Sequence, residues 1–257
     1  MSKKSAIIIL RHGCDGGDGD KGNFTFGEKV SLFFHGNDGK VEGNTVYYER
    51  DFLSKLGHQE ATALGNELPD WINNQFQPVS RVISEGPGIK RREIDGTPNP
   101  INTIRPYIDK LCDKDLFKSP TGKLTVDLYD NKVSKDPNIF SVDKLLADGI
   151  GSYSTVVSWE AKGMWRDDKK IFVEDSILGK LSEGLDNRFL LSDSYYDEEK
   201  KEERGHNRPW KGRMIYVFEV QDDHSLIMKV YEFISKEDGS GSFHEITKSE
   251  DWPKKIC

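Results

Sequence analysis

The most constraining feature of the sequence is a short apolar run that leads directly into an arginine and a histidine. Residues 6–10 read AIIIL, Arg11 and His12 follow, and the glycine-rich stretch GCDGGDGDKG occupies 13–22. A run that is apolar at every position predicts a strand covered on both faces, in the middle of a sheet. Ligands of open α/β sheets bind beyond the carboxyl ends of the strands. Arg11 and His12 are therefore predicted to lie at a ligand site.

The rest of the chain predicts strands interleaved with helices, followed by a late hairpin. The predicted elements are a helix within 52–76 that kinks or restarts at Pro69, a strand at 79–84, a helix from about Thr103 or after Pro106, a strand at 154–159, and a hairpin of 212–220 with 225–234. This order predicts an α/β fold, a three-layer α/β/α sandwich with a mixed, mostly parallel central sheet.

A long polar segment follows the first strand. Residues 11–50 are rich in Gly, Asn and Asp, which predicts a long loop. Because the segment begins at the candidate site, we expect 14–50 to form a cap over it. The composition shows no linker, so the whole chain, 1–257, is predicted to be a single domain.

Composition excludes several classes of function. A net charge of −7 argues against nucleic-acid binding, which needs a basic surface. No apolar run approaches the roughly 18 residues that a membrane helix requires. The opening MSKK and the short apolar run after it do not resemble a secretory signal, so a cytoplasmic location is expected. The oligomeric state cannot be predicted from one sequence.

Metal and disulfide chemistry are not indicated. Cys14, Cys112 and Cys257 are widely spaced and form no C-x-x-C pair, so reduced thiols are expected. The stretch DGGDGDKG at 15–22 fails the EF-hand template, since Lys29 falls where a glutamate ligand belongs, and it also fails the calcium-binding nonapeptide. We therefore expect neither a metal nor a cofactor.

The strand ends supply the candidate site residues. They are Arg11, His12 and Gly13 after the first strand, Ser84 and Glu85 after the second, and Glu160 and Ala161 after the strand at 154–159. A guanidinium binds two phosphate oxygens at once, and a neutral imidazole nitrogen can attack phosphorus. Glycine allows close approach of the backbone. This combination predicts a site for a small phosphorylated or otherwise anionic molecule.

Five stretches also stand in a characteristic order: LRHG at 10–13, LSKLGHQEATALGNEL at 53–68, RVIS at 81–84, NPINTIRPYI at 99–108 and TVVSWEA at 155–161. Together they resemble the motifs of the histidine phosphatase (phosphoglycerate mutase-like) superfamily, over roughly residues 5–175. Leu53, Gly57, Gln59 and Ala61 occupy the places expected in the helix motif. The resemblance implies the phosphoglycerate mutase-like form of the sandwich.

The resemblance also implies roles for individual residues. In that superfamily the first histidine is phosphorylated, two arginines and a second histidine bind the phosphoryl oxygens, and an acidic residue protonates the leaving group. Arg11 and His12 match the first two positions. Glu160 or Glu85 could serve as the acid, and an ordinary solvated glutamate is the alternative for each.

Two of the implied positions depart from the pattern. Asn99 stands where the second arginine is expected, and Ala161 where the second histidine is expected. Nearby arginines could replace the missing charge, although none occupies the matching position: Arg81, Arg91, Arg92 and Arg105. Losing one preorganised donor to developing charge typically costs about 10²–10³ in rate, so two losses predict weak phosphatase activity.

Three hypotheses remain open. The first is a divergent enzyme on this fold, acting on a phosphorylated or anionic small molecule with weak or redirected chemistry. The second is a pseudoenzyme that uses the pocket, including Arg11, for binding or regulation. The third is a conventional phosphomonoesterase in which Ala161 replaces a natural histidine.

Overall fold

The computed structural model describes residues 3–14, 16–17, 21–36, 41–48, 51–86, 98–130, 153–159, 165–166, 171–172, 177–186 and 214–248. Their strands are β1 (Ala6–Arg11), β2 (Gly22–Thr25), β3 (Val30–His35), β4 (Val41–Glu42), β5 (Thr45–Tyr48), β6 (Val79–Glu85), β7 (Leu124–Tyr129), β8 (Ser154–Trp159), β9 (Trp165–Arg166), β10 (Ile171–Phe172), β11 (Met214–Val220), β12 (Leu226–Ser235) and β13 (Gly241–Ile246). Their helices are α1 (Lys55–Gln75), α2 (Asn99–Asp113) and α3 (Ile177–Leu181). Glu160 and Ala161 lie outside the described residues.

The main sheet is mixed. Within the described ranges it has eight strands in the order β13-β12-β11-β1-β8-β6-β7-β3. The strands from β1 to β3 in this order are parallel to one another, whereas β11, β12 and β13 join by antiparallel pairing. The predicted mixed, mostly parallel sheet is confirmed, and so is the late hairpin, β11 with β12.

β1 is buried on both faces, as its sequence predicts. Ile8 and Leu10 belong to the core that α1 and α2 cover, while Ile7 and Ile9 pack on the opposite face in the core that includes Leu178 of α3. Successive side chains of a strand point to opposite faces, so covering both faces requires an apolar residue at every position. Helices on both faces confirm the three-layer arrangement.

The restart predicted at Pro69 is wrong, because α1 continues through this residue, whereas a kink there stays a prediction. Ser54 caps α1 by accepting a hydrogen bond from the Gly57 N–H at 3.1 Å, and the helix then continues through Pro69 to Gln75. A proline inside a helix costs about 3 kcal/mol. Leu68 and Ile72, each 1 % exposed or less, anchor this part of the helix in the core, and their packing offsets that cost.

The predicted start of α2 is too late. The helix begins at Asn99, and its proline in the first turn is Pro100. A proline in the first helical turn loses no intrahelical hydrogen bond, so it favours a helix start at this point. Pro106 lies inside α2 without ending it, and a Cβ added to Gly65 of α1 would lie 2.6 Å from the Pro106 Cβ. The two helices therefore pack closely at this crossing.

The prediction of a long loop at 11–50 is wrong, because this segment contains β2, β3, β4 and β5. β3 is an edge strand of the main sheet and pairs in parallel with β7, and Val30 is buried in the core. The Val30–His35 part of the segment therefore belongs to the sheet rather than to a cap. The short strands β2, β5 and β4 form a separate sheet. Whether other parts of 14–50 cover the site stays a prediction.

Besides β3, two strands of the main sheet were not anticipated, β7 inside it and β13 at its edge. β7 carries Asp127 at a buried position, which breaks the continuous apolar pattern of a central strand.

Among the described helices, none combines the length and the apolar character needed to cross a membrane.

Candidate functional site

The carboxyl ends of the central strands lie level with one another. Arg11 pairs with Trp159 in the parallel register of β1 with β8, and Ser84 of β6 pairs with Ser158 on the other side of β8. Neighbouring strands lie about 4.8 Å apart, so Arg11 and the end of β6 are separated by about 10 Å. The structure thus brings two of the three predicted strand ends to one edge. The Glu160 end lies beyond the described residues.

His12 follows β1 and is 1 % exposed. Its Nδ1 lies 2.7 Å from the carbonyl oxygen of Gly13. A carbonyl oxygen can only accept, so Nδ1 carries the proton of this hydrogen bond. In the neutral ring the lone pair then resides on Nε2, the nitrogen that would attack an electrophile.

Side chains from α1 and α2 bind the backbone of the two residues after His12. The Gly13 N–H donates to Thr103 Oγ1 at 2.8 Å, and the Cys14 N–H donates to Glu60 Oε2 at 3.2 Å. The Cys14 carbonyl accepts from the Ser54 hydroxyl at 3.0 Å and from the Ser54 N–H at 2.8 Å. The loop of residues 12–14, called here the histidine loop, is therefore held by both helices.

Glycine is required on both sides of the contact between the histidine loop and α1. A Cβ on Gly57 would overlap the carbonyl oxygen of Cys14, which is backbone and cannot rotate away. This steric conflict explains why position 57 of this chain is a glycine. It lets the first turn of α1 lie directly against the histidine loop.

The first turn of α2 is polar and buried. Asn99 is 1 % exposed, and Ser158 Oγ donates to the carbonyl of Pro100 at 2.9 Å, which ties the start of the helix to β8. Thr103, which binds Gly13, lies one turn after Asn99 on the same helix face. The helical rise places Asn99 about 6 Å along the axis from Thr103. Asn99 therefore lies one turn from the residue that binds the histidine loop.

Asn102 was not singled out by sequence reasoning. It lies in the same first turn and is 8 % exposed, and its Oδ1 has no hydrogen-bond partner among the described residues. Buried polar atoms are normally satisfied. The signal in the sequence is the pair Asn99 and Asn102, which stands directly before the predicted helix start at Thr103.

Ser84 and Glu85 end β6 in buried positions. Glu85 is 4 % exposed, and Ser84 Oγ donates to the Glu85 carbonyl at 3.0 Å. In the register with β7, Glu85 pairs with Tyr129, whose ring is tilted against Trp159 at 6.1 Å. Glu85 therefore lies at the same edge of the sheet as Arg11.

Arg81 lies near the start of β6, four residues before Glu85, and its assignment to the substrate site stays a prediction. Its Nε donates to Asp127 Oδ2 at 2.6 Å, and His35 Nε2 donates to the other carboxylate oxygen at 2.7 Å. His35 also stacks on Tyr129 at 4.3 Å. Arg81 is thus part of a charged cluster across β6, β7 and β3. The missed signal for this cluster is the single aspartate within the apolar stretch LTVDLY of β7.

A cavity about large enough for one water molecule lies between the sheet and the two helices. Its lining residues are Leu10, Arg11, Gly13, Glu60, Leu64, Thr103, Ile215 and Phe233. The polar groups of the histidine loop therefore share a mostly apolar enclosure with Arg11.

In the described ranges, no group of three or more His, Cys, Asp or Glu side chains could hold a metal ion.

The expectation of reduced thiols is wrong for Cys14, which is disulfide-bonded, whereas Cys112 is a free, buried thiol. Spacing along a chain does not report which cysteines meet in space, which is why the sequence did not show this bond. Disulfides persist mainly in oxidising compartments. A cytoplasmic location therefore stays a prediction.

Burial makes the core side of α2 electrically neutral. It raises the pKa of the Cys112 thiol to about 11 and the pKa of the Tyr107 phenol well above its ordinary range. Both groups are protonated at neutral pH. Tyr107 and Cys112 therefore add no charge to the core side of α2 at neutral pH.

Comparisons with known proteins give little beyond this geometry. The sequence matches no protein-family model and no curated protein. Among solved structures, the chain is similar to the putative phosphohistidine phosphatase SixA from Agrobacterium tumefaciens, with 11% sequence identity and a TM-score of 0.39, over 91% of this chain and 98% of that chain. A TM-score this low does not establish a common fold. The fold class rests on the sheet and its two helical layers.

Proposed function

We propose that this protein is a divergent member of the histidine phosphatase fold that acts on a small phosphorylated or otherwise anionic molecule, with weak or redirected chemistry. The observation that carries the proposal is the state of His12. Its ring follows the central strand, and the Nδ1 hydrogen bond to Gly13 leaves the lone pair on Nε2. A buried imidazole held in one tautomer has the properties required of a nucleophile.

The proposed step transfers a phosphoryl group to His12. The Nε2 lone pair forms the N–P bond while the ester P–O bond breaks, and the leaving oxygen takes a proton from a carboxylic acid. Water then hydrolyses the phosphohistidine and releases phosphate. Glu85 is the candidate acid among the described residues, and Glu160 is the alternative carried from the sequence.

Arg11 supplies the positive charge in this proposal. A single guanidinium can bind two phosphoryl oxygens in a bidentate fashion. Asn99 offers only neutral amide donors where the resemblance implies a second cation. The reduced positive charge supports weak or redirected chemistry rather than efficient hydrolysis of phosphate monoesters.

Binding without turnover is the second candidate function, and the burial of His12 favours it. At 1 % exposed, the ring is covered in this structure, so a substrate reaches Nε2 only after its surroundings move. A protein that only binds an anion through Arg11 needs no such movement.

Two measurements on the same proteins separate these functions. We expect inorganic phosphate or orthovanadate to bind the wild type in calorimetric titration, with Arg11→Met weakening the affinity at least about tenfold. We expect His12→Ala to abolish hydrolysis of a chromogenic phosphate ester. The control is His58→Ala, since His58 is half-exposed and its Nε2 lies 3.0 Å from an Asp51 carboxylate oxygen.

The possible outcomes separate the two candidate functions. Binding that depends on Arg11, without turnover in the wild type, identifies a binding module. No binding of either anion at millimolar concentration contradicts both functions. Turnover that survives His12→Ala shows that His12 is not the nucleophile.

A further inference from the structure

Glu60 is connected to His12 through a single peptide group. The Gly13 carbonyl, which accepts from His12 Nδ1, and the Cys14 N–H, which donates to Glu60 Oε2, belong to the same peptide unit. In a trans peptide these two groups point in opposite directions. Glu60 and the imidazole of His12 therefore lie on opposite sides of one planar amide.

Hydrogen bonds at the two ends of a peptide group strengthen one another. An acceptor on the N–H side draws electron density toward the carbonyl oxygen, which makes that oxygen a better acceptor. In condensed phases the gain is about 10–30% per bond. A carboxylate is the strongest acceptor that a protein side chain offers to an N–H. The Gly13 carbonyl is thus a stronger partner for Nδ1–H than an isolated carbonyl.

The surroundings of Glu60 keep this arrangement in place. Glu60 is 4 % exposed, so little solvent competes for its carboxyl group. Ser54 holds the Cys14 carbonyl and Thr103 holds the Gly13 N–H, which fixes the peptide unit from both neighbouring groups. Rotation of the peptide away from His12 would break both hydrogen bonds of this peptide unit, to His12 and to Glu60.

We infer that Glu60 is a positioning residue for His12, acting through the Gly13–Cys14 peptide to hold the imidazole with its proton on Nδ1 and its lone pair on Nε2. The inference rests on the proposed function in that it takes His12 as the nucleophile. Its physical content, the tautomer of His12 and the strength of the Nδ1 hydrogen bond, can be measured without any turnover.

The test is nitrogen-15 NMR of the histidine side chains in the wild type and in variants of Glu60. Glu60→Leu removes the acceptor. Glu60→Gln keeps the size and one acceptor oxygen but removes the carboxylate. Glu67→Leu, about two turns further along the same helix, is the matched control.

We expect the wild type and Glu67→Leu to show His12 with the proton on Nδ1, giving a slowly exchanging, strongly downfield Nδ1–H resonance. Glu60→Leu should populate both tautomers. Glu60→Gln should keep the tautomer, move the Nδ1–H resonance upfield and speed its exchange with water. If the enzyme turns over, kcat should fall about fivefold to tenfold in Glu60→Leu, the value of one hydrogen bond, with KM unchanged.

The outcomes distinguish this inference from the proposed function. A wild-type His12 without a protonated Nδ1, or a Glu60→Gln protein whose Nδ1–H resonance and exchange equal those of the wild type, overturns the inference even if Glu60→Leu fails to fold. The expected NMR changes in a series that shows no hydrolysis support the positioning role and count against catalysis by His12.

Discussion

The backbones of Gly13 and Gly57 are in direct contact: a Cβ added to Gly13 would lie 2.9 Å from the carbonyl oxygen of Gly57. This contact joins the histidine loop to the first turn of α1. Because both partners are backbone, neither can move aside without displacing the loop or the helix.

The first prediction concerns Gly57→Ala. The new Cβ would overlap the Cys14 carbonyl, so we expect the free energy of unfolding to fall by about 1–3 kcal/mol, although alanine favours helices. Urea denaturation measures the change. Gly27→Ala is the control, since a Cβ there would meet nothing within 4 Å. Equal stability of the two variants would contradict the close contact.

The second prediction concerns Asp127, which bridges Arg81 and His35. In Asp127→Asn the amide NH₂ must face one of two N–H donors, which leaves one of these partly exposed donors without its acceptor. We expect a loss of about 1–3 kcal/mol in the free energy of unfolding. Asp109→Asn, in a half-exposed pair with Arg105 on α2, should change it by no more than about 0.5 kcal/mol. A loss at Asp127 no larger than this control would refute the bridging role.

The third prediction concerns pH. Burial raises the pKa of the Cys112 thiol from 9.0 to about 11, so between these values the unfolded chain has lost a proton that the folded chain retains. Stability must therefore fall as the pH rises through this window. We expect Cys112 to resist alkylation by iodoacetamide at pH 8 and to react rapidly in denaturant, as followed by peptide mass spectrometry. Equal rates in both states would contradict the shift.

The fourth prediction concerns the two departures from the histidine phosphatase pattern. Ala161→His with Asn99→Arg should raise hydrolysis of a chromogenic phosphate ester, by restoring an imidazole and a guanidinium to the developing charge. Ala161→His alone should give most of the gain if Ala161 replaces a natural histidine.

The controls for this prediction are a third and a fourth protein. Adding His12→Ala to the double variant should abolish the gain, and Asn74→Arg, at the exposed end of α1, should give none. Circular dichroism checks folding. A folded double variant no better than the parent would count against a phosphatase-like site.

The central strands could be predicted from the sequence because their apolar residue pattern matches their buried position in the sheet. The strand predicted at 154–159 is β8, and the apolar run at 6–10 is the central β1. In β3, Val30, Leu32 and Phe34 alternate correctly, but the flanking Gly and Asn residues favoured a loop. Pro69 shows the opposite case, where tertiary packing overrides a strong local preference.

The candidate site was predictable only in part. Arg11 and His12 stand out because a buried strand runs into them. The contacts of Glu60 and Thr103 with the histidine loop depend on how two helices cross the sheet, which no local pattern specifies. Asp127 stands out as an aspartate within an apolar strand. Its role could not be predicted, because the sequence does not show that Arg81 and His35 lie on the neighbouring strands.

The place of β1 in the sheet has a consequence for how the protein is made. A ribosome synthesises β1 first, yet one of its two neighbours is β11, and Ala6 pairs with Glu219. At 5–20 residues per second, the nascent chain waits on the order of ten seconds or more for that partner. During this time the AIIIL segment exposes an unpaired apolar edge of the kind that recruits other strands. Until β11 has left the ribosome, β1 therefore keeps an edge without its strand partner.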